Sequence, residues 1–188
     1  MKLTVSTVKQ QVLEVPKPLR VFILRAFLCL LAWNVVHNKL LSANNDLDAF
    51  FSSTLAGSTS FLLNIFSMHH VSTSGMENGW ITLFFNNSPI LNISNACNGL
   101  DVTALYIAFI CCIPSSTKRM VSYIIPGVVG LFAFNVVRCI ILSFLGYHQY
   151  SGFEFFHHYV FTTLIYGIIL FVWISYLKAS FTHETQKA

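Results

Sequence analysis

Three residues with chemical potential sit at the edges of the most apolar stretches of this 188-residue chain: Cys97, Arg138 and His157. Their phrases are Asn95-Ala96-Cys97-Asn98-Gly99-Leu100, Asn135-Val136-Val137-Arg138 and Phe156-His157-His158-Tyr159-Val160-Phe161. A thiol, a guanidinium and an imidazole gathered at one membrane face would support thiol-based acyl transfer. The thiolate is the reactive form, and a nearby cation or helix N-terminus lowers its pKa. Arg138 has three candidate uses: holding the thiolate, binding the oxyanion of a tetrahedral intermediate, or gripping a substrate carboxylate. The plainer alternative is snorkelling to lipid headgroups. His157 would accept the thiol proton and return one to a leaving amine.

Other polar residues stand nearby. Asn135, one helical turn from Arg138, is a candidate for orienting it or binding substrate backbone, with packing as the alternative. Glu154 precedes His157 by three residues and would orient it if the segment is helical. His158 leaves the position of the base open. Asp101 would oppose a thiolate and is given no role. His148, His157, His158 and Cys97 would in principle gather zinc. No His-x-x-x-His or Cys-x-x-Cys pair occurs, so neither metal nor other cofactor is expected.

The elements that position these residues must be membrane helices. The chain is 55% hydrophobic and 10% charged, with mean hydropathy +0.65. Soluble domains carry about 25% charged residues. The net charge of +4 makes no case for nucleic acid. An odd count of five cysteines argues against a disulfide framework. Four of them lie in apolar runs and read as small buried hydrophobes. No cleavable signal peptide is expected in residues 1–18.

Four stretches approach the ~20 residues a span requires: 19–36, 100–117, 120–145 and 159–177. Pro126-Gly127 predicts a kink or break in the third. The segment Ala49 to Phe66 is different, with seven Ser, Thr or Asn among its 18 residues. Phe50, Leu55, Phe61, Leu62 and Ile65 recur at roughly helical spacing, which suits a helix lying in the interface. Trp80–Phe85 and Ile90–Ile93, joined by Asn86-Asn87-Ser88-Pro89, read as a β-hairpin.

Basic residues orient the chain, because short cytoplasmic loops collect Lys and Arg. Lys2, Lys9, Lys17, Arg20 and Arg25 place the N-terminus inside. Lys118 and Arg119 place the loop between the second and third spans inside. The segment 37–98 is then extracytoplasmic, with tails 1–18 and 178–188 cytoplasmic. Only Lys39 and Arg138 of eleven basic residues fall elsewhere. Arg138 lies 18 residues beyond Met120, roughly 27 Å along a helix, near the outer end of its span. Cys97 and His157 open the second and fourth spans at the same outer face. The predicted fold is an all-α polytopic membrane protein, a single unit over 1–188, with four transmembrane helices, an outer interfacial helix and a short extracytoplasmic β-hairpin.

The three phrases, in this order, resemble the exosortase/archaeosortase family of membrane-embedded transpeptidases. Its members carry a Cys in an Ala-Cys-Ser-Gly-type turn, then Asn-x-x-Arg on a later helix, then a His at the mouth of another. Here these are Ala96-Cys97-Asn98-Gly99, Asn135 to Arg138, and His157, preferred over His158 for its spacing to the following helix. The resemblance covers about Leu47 to Trp173. Asn98 stands where the family usually has Ser, Phe161 where it often has Gly, and the chain is short for the family. The resemblance implies catalytic roles for Cys97, Arg138 and His157. It also implies a prokaryotic cytoplasmic-membrane enzyme with an outward-facing site. Such an enzyme cleaves the C-terminal sorting signal of a secreted protein through a thioester and passes the acyl group to an amine acceptor. The other class of reading is non-enzymatic: an assembly factor or small-solute channel subunit with an Arg/His-lined polar cavity.

Overall fold

The computed structural model describes residues 17–35, 46–66, 70–75, 79–113 and 115–185. Lys2, Lys9, Lys39, His69 and Lys187, and with them most of the expected tails, lie outside the described residues. Six α-helices and a three-stranded sheet follow in order. Helix α1 (Lys17–Val35) packs along α3 (Leu100–Cys112), with Phe22 edge-on to Phe109 at 5.4 Å. Trp33 Nε1 donates to Asp101 Oδ1 at 3.2 Å across the same seam. The second predicted span is thus shortened at its C-terminal end. Ile113 is extended (φ −90°, ψ 124°), as suits the residue before a proline.

Helix α4 (Thr117–Tyr147) runs 31 residues without the break predicted at Pro126. The Tyr106 hydroxyl donates to the Tyr123 carbonyl at 2.7 Å, in the turn before the proline. At ~1.5 Å per residue α4 is about 46 Å long, against a hydrocarbon layer of about 30 Å. Helix α5 (Phe153–Phe155) passes through a π-helical turn (Phe156–Val160) into α6 (Phe161–Thr185). The predicted fourth span thus begins earlier than expected, and His157 and His158 lie inside the π turn. Among the described residues three helices are long and apolar enough to cross a membrane: Leu47–Phe66, Thr117–Tyr147 and Phe153–Ser180.

Helix α2 (Asp46–Phe66) divides the apolar set read from the sequence, burying Leu55 and leaving Phe50, Phe61 and Ile65 exposed. Its buried stripe is Ser52, Leu55, Ala56, Thr59, Ser60 and Leu63, at i, i+3, i+4 spacing. Phe50, Phe61 and Ile65 point outward. The hydroxyls face inward because partners wait there. Ser60 Oγ donates to the Val71 carbonyl at 3.1 Å, and Thr59 Oγ1 to the Leu55 carbonyl at 2.8 Å.

The sheet is antiparallel, in the order β1 (Val71–Thr73), β2 (Trp80–Phe85), β3 (Ser88–Ser94). The hairpin turn is Asn86-Asn87 alone, both left-handed (φ 49° and 64°), the two-residue geometry that matches strand twist. Ser88 and Pro89, expected in the turn, belong to β3. The ladder shifts register between Leu83 and Phe84, where Ile90 is the extra residue of a bulge. Strand β1 was not legible: three residues of Val-Ser-Thr carry no periodicity.

Two cores result. One joins Leu55 and Leu63 of α2, Ile81, Leu83 and Ile93 of the sheet, and Val136, Cys139 and Leu142 of α4. The other joins Tyr106 and Ile110 of α3, Leu131 of α4, and Ile165, Ile169 and Tyr176 of α6. The change of core falls between Leu131 and Val136 on α4.

Candidate active site

Strand β3 ends at Ser94 and passes into a single 3-10 turn, Asn95–Cys97. A polar clamp fixes that turn to α2. Asn98, only 3% exposed, donates from Nδ2 to Asp48 Oδ1 at 3.0 Å and to Ser52 Oγ at 3.3 Å. Its Oδ1 accepts from the Leu100 backbone N–H at 2.8 Å, capping the entry to α3. Ser52 Oγ in turn donates to Asn95 Oδ1 at 3.0 Å. Asp48, Ser52 and Asn98 thus set where Cys97 sits; for the first two, their i, i+4 spacing is the one signal legible in advance. Gly99 follows with φ +84°, a conformation that favours glycine. A Cβ there would stand 2.7 Å from Asn135 Nδ2.

Cys97, Arg138 and His157 meet around one cavity of about 200 Å³, with Asn135 in its wall. Cys97 Sγ lies 3.9 Å from His157 Nε2. The Cys97 thiol is lowered from 9.0 to about 6. The His157 hydrogen bond is the main cause, working against burial, with help from Ser94 and from the Arg138 charge. The N-terminus of α3, two residues away, acts in the same direction.

Arg138 is half-buried, and its Nε has no partner among the described residues. Asn135 is 3% exposed, and both of its amide atoms lack a partner among the described residues. The Asn135 amide and the Arg138 Nε, buried atoms left open beside a nucleophile, are costly unless something else binds them.

Glu154 does not orient His157. Its Oε2 lies 3.1 Å from His158 Nε2, four residues on, and both side chains are well exposed. The His157 ring instead packs on Phe153 and His158, at centroid distances of 5.8 and 4.7 Å. The π turn brings both histidines to the cavity wall, yet His157 is the one that reaches the sulfur. Glu154, His157 and His158 hold their potential metal-ligand atoms within 4.8 Å of one another. Neither His148 nor Cys97 belongs to that group. Asp101 lines the cavity but is held by Trp33. The other four cysteines are free; Cys112 Sγ lies 3.7 Å from Cys29 Sγ, far from this site along α3.

Comparison with curated proteins and with solved structures gives no match. The family model of the transmembrane exosortases matches residues 15–177, a stretch that spans both cores and all three site residues, and the chain therefore belongs to the transmembrane exosortase family.

Proposed function

We propose that this chain is a membrane-embedded thiol transpeptidase that processes C-terminal sorting signals of translocated proteins. The observation that carries this reading is a thiol 3.9 Å from an imidazole, in a cavity shared with a half-buried arginine. The Cys97 thiolate attacks the scissile carbonyl carbon. The oxyanion that develops is held by the Arg138 guanidinium, with the Asn135 amide as the second donor. The C–N bond then breaks, His157 gives its proton to the leaving amine, and an acyl thioester remains on Cys97. An amine acceptor enters, loses its proton to His157, and displaces the sulfur. The cycle needs no cofactor.

The reading places the site at the outer face of a prokaryotic cytoplasmic membrane. An open sheet edge is not tolerated in hydrocarbon, so the core containing the sheet lies above the lipid. α2, bonded to that sheet through its hydroxyls, then lies at the surface and does not cross. α1, α3, α4 and α6 make the crossings, α3 as a short one beginning at Leu100, just after Cys97. The sorting-signal helix of the substrate would lie in the bilayer beside these helices.

The test is processing in cells of a sorting-signal protein encoded alongside this chain. Cys97→Ser, Arg138→Ala and His157→Ala each leave the uncleaved precursor, with the variant proteins present at wild-type level. Normal processing by Cys97→Ser would support the assembly-factor reading instead.

A further inference from the structure

The exposed edge of β3 leads straight to Cys97. Thr82 turns its backbone groups away from β3: its N–H donates to Ser74 Oγ at 3.0 Å, and its carbonyl accepts from Ser74 N at 2.9 Å. Opposed residues of an antiparallel pair share this orientation, so Asn92, opposite Thr82, turns its own N–H and C=O away from β2. Ser94, two residues on, does the same. Among the described residues no strand covers that side of β3. Helix α4 closes only the start of the edge, where Gly146 lies against the Ile90 carbonyl. Beyond it opens a cavity of about 800 Å³, lined by Asn92, Ser94, Trp80, Tyr150, Phe153 and Cys97. Cys97 and His157 also line the smaller cavity that holds Arg138, so the sulfur stands where two cavities join.

Proteins ordinarily cover or blunt a sheet edge. We propose that this edge is the substrate-docking strand. An extended peptide segment N-terminal to the scissile bond pairs with Asn92 and Ser94 as a fourth strand, and its last carbonyl reaches Cys97. The proposal rests on the thiol-transfer reading above. That reading also sets the direction. The substrate's folded part is outside and its helix is in lipid, so the segment descends toward Cys97 and runs parallel to β3. Main-chain bonds supply affinity, and alternate side chains meet Trp80 and Phe153.

The test uses the full chain in detergent micelles and peptide electrophiles that alkylate Cys97, followed by intact-mass and peptide mass spectrometry. The probes are acetyl-Val-Val-Val-Ala chloromethyl ketone and acetyl-Ala chloromethyl ketone, with iodoacetamide as the edge-independent reference. Two or so backbone bonds predict about tenfold faster modification by the longer probe. Asn92→Pro removes the outward N–H without breaking a bond to β2, and should cancel most of that advantage. Asn92→Ala loses the same side-chain bond to Thr82 Oγ1 but keeps the N–H, and should retain it. Iodoacetamide should modify all three proteins alike. In the wild type, N-methylation at one of two adjacent valines should slow labelling and at the other should not, because only alternate amides face the edge. That pair decides the matter if Asn92→Pro fails to fold. The proposal is overturned if the longer probe has no advantage, if the advantage survives in Asn92→Pro, or if both methylated probes behave alike. Iodoacetamide failing to select Cys97 over the other four cysteines is a separate outcome, which removes the thiol-transfer reading and this proposal with it.

Discussion

Gly99 shows how little room the site leaves at the scale of single residues. Its φ of +84° and the nearness of Asn135 Nδ2 both exclude a side chain. Gly99→Ala should cost about 1–3 kcal/mol of local strain and move Cys97 relative to His157. We expect processing to fall at least tenfold, with the uncleaved precursor accumulating in cells. Glu154 behaves in the opposite way. Its pair with His158 is exposed, and exposed pairs contribute about 0–1 kcal/mol. Glu154→Gln should leave processing and thermal unfolding within about twofold and a degree or two of wild type. A large loss would return Glu154 to the machinery around His157.

At the scale of elements, the clamp between α2 and the Cys97 turn holds β3, α2 and α3 in one arrangement. Asn98→Ala leaves the Leu100 N–H and the Asp48–Ser52 pair without their buried partner, at a cost of about 1–3 kcal/mol. Thermal unfolding in detergent should fall by several degrees. Asn98→Ser, the residue the family usually has, can still cap Leu100 and should lose less. If the two variants unfold together, the Asp48 and Ser52 bonds carry the clamp. The sequence made the meeting of Cys97, Arg138 and His157 legible because charged groups are rare within spans, so Arg138 stood out. It did not show which hydroxyls of α2 pack inward, because their partners lie on other elements, as Val71 does for Ser60. It also concealed the π turn, while the Glu154–His158 pair keeps ordinary i, i+4 spacing. Composition does not encode a one-residue change in helical register. The turn of the hairpin was misread by two residues because Pro89 looks like turn chemistry, yet it sits in an edge strand where its missing donor costs nothing.

At the scale of the whole molecule, the two cores stacked along α4 explain why one 31-residue helix serves both. Its lower part packs with α3 and α6, its upper part with α2 and the sheet, and Asn135 and Arg138 fall at the junction. In this account a reporter fused after Phe66 reads extracytoplasmic, as does one in the Asn86-Asn87 turn. A cytoplasmic reading at either site would make α2 a crossing helix and move the sheet to the other face.

The central claim is that His157 and Arg138 hold Cys97 as a thiolate at neutral pH. The most direct measurement is the pH dependence of iodoacetamide modification of Cys97, in the purified wild type and in His157→Ala and Arg138→Ala. Because the folded pKa is lowered, the thiolate is present above it and is lost as pH falls through it. The wild-type rate should therefore rise around pH 6 and plateau by neutrality. His157→Ala, removing the largest contribution, should move the midpoint upward furthest, and Arg138→Ala should move it less. A wild-type midpoint near 9, or one that neither variant moves, would contradict the account.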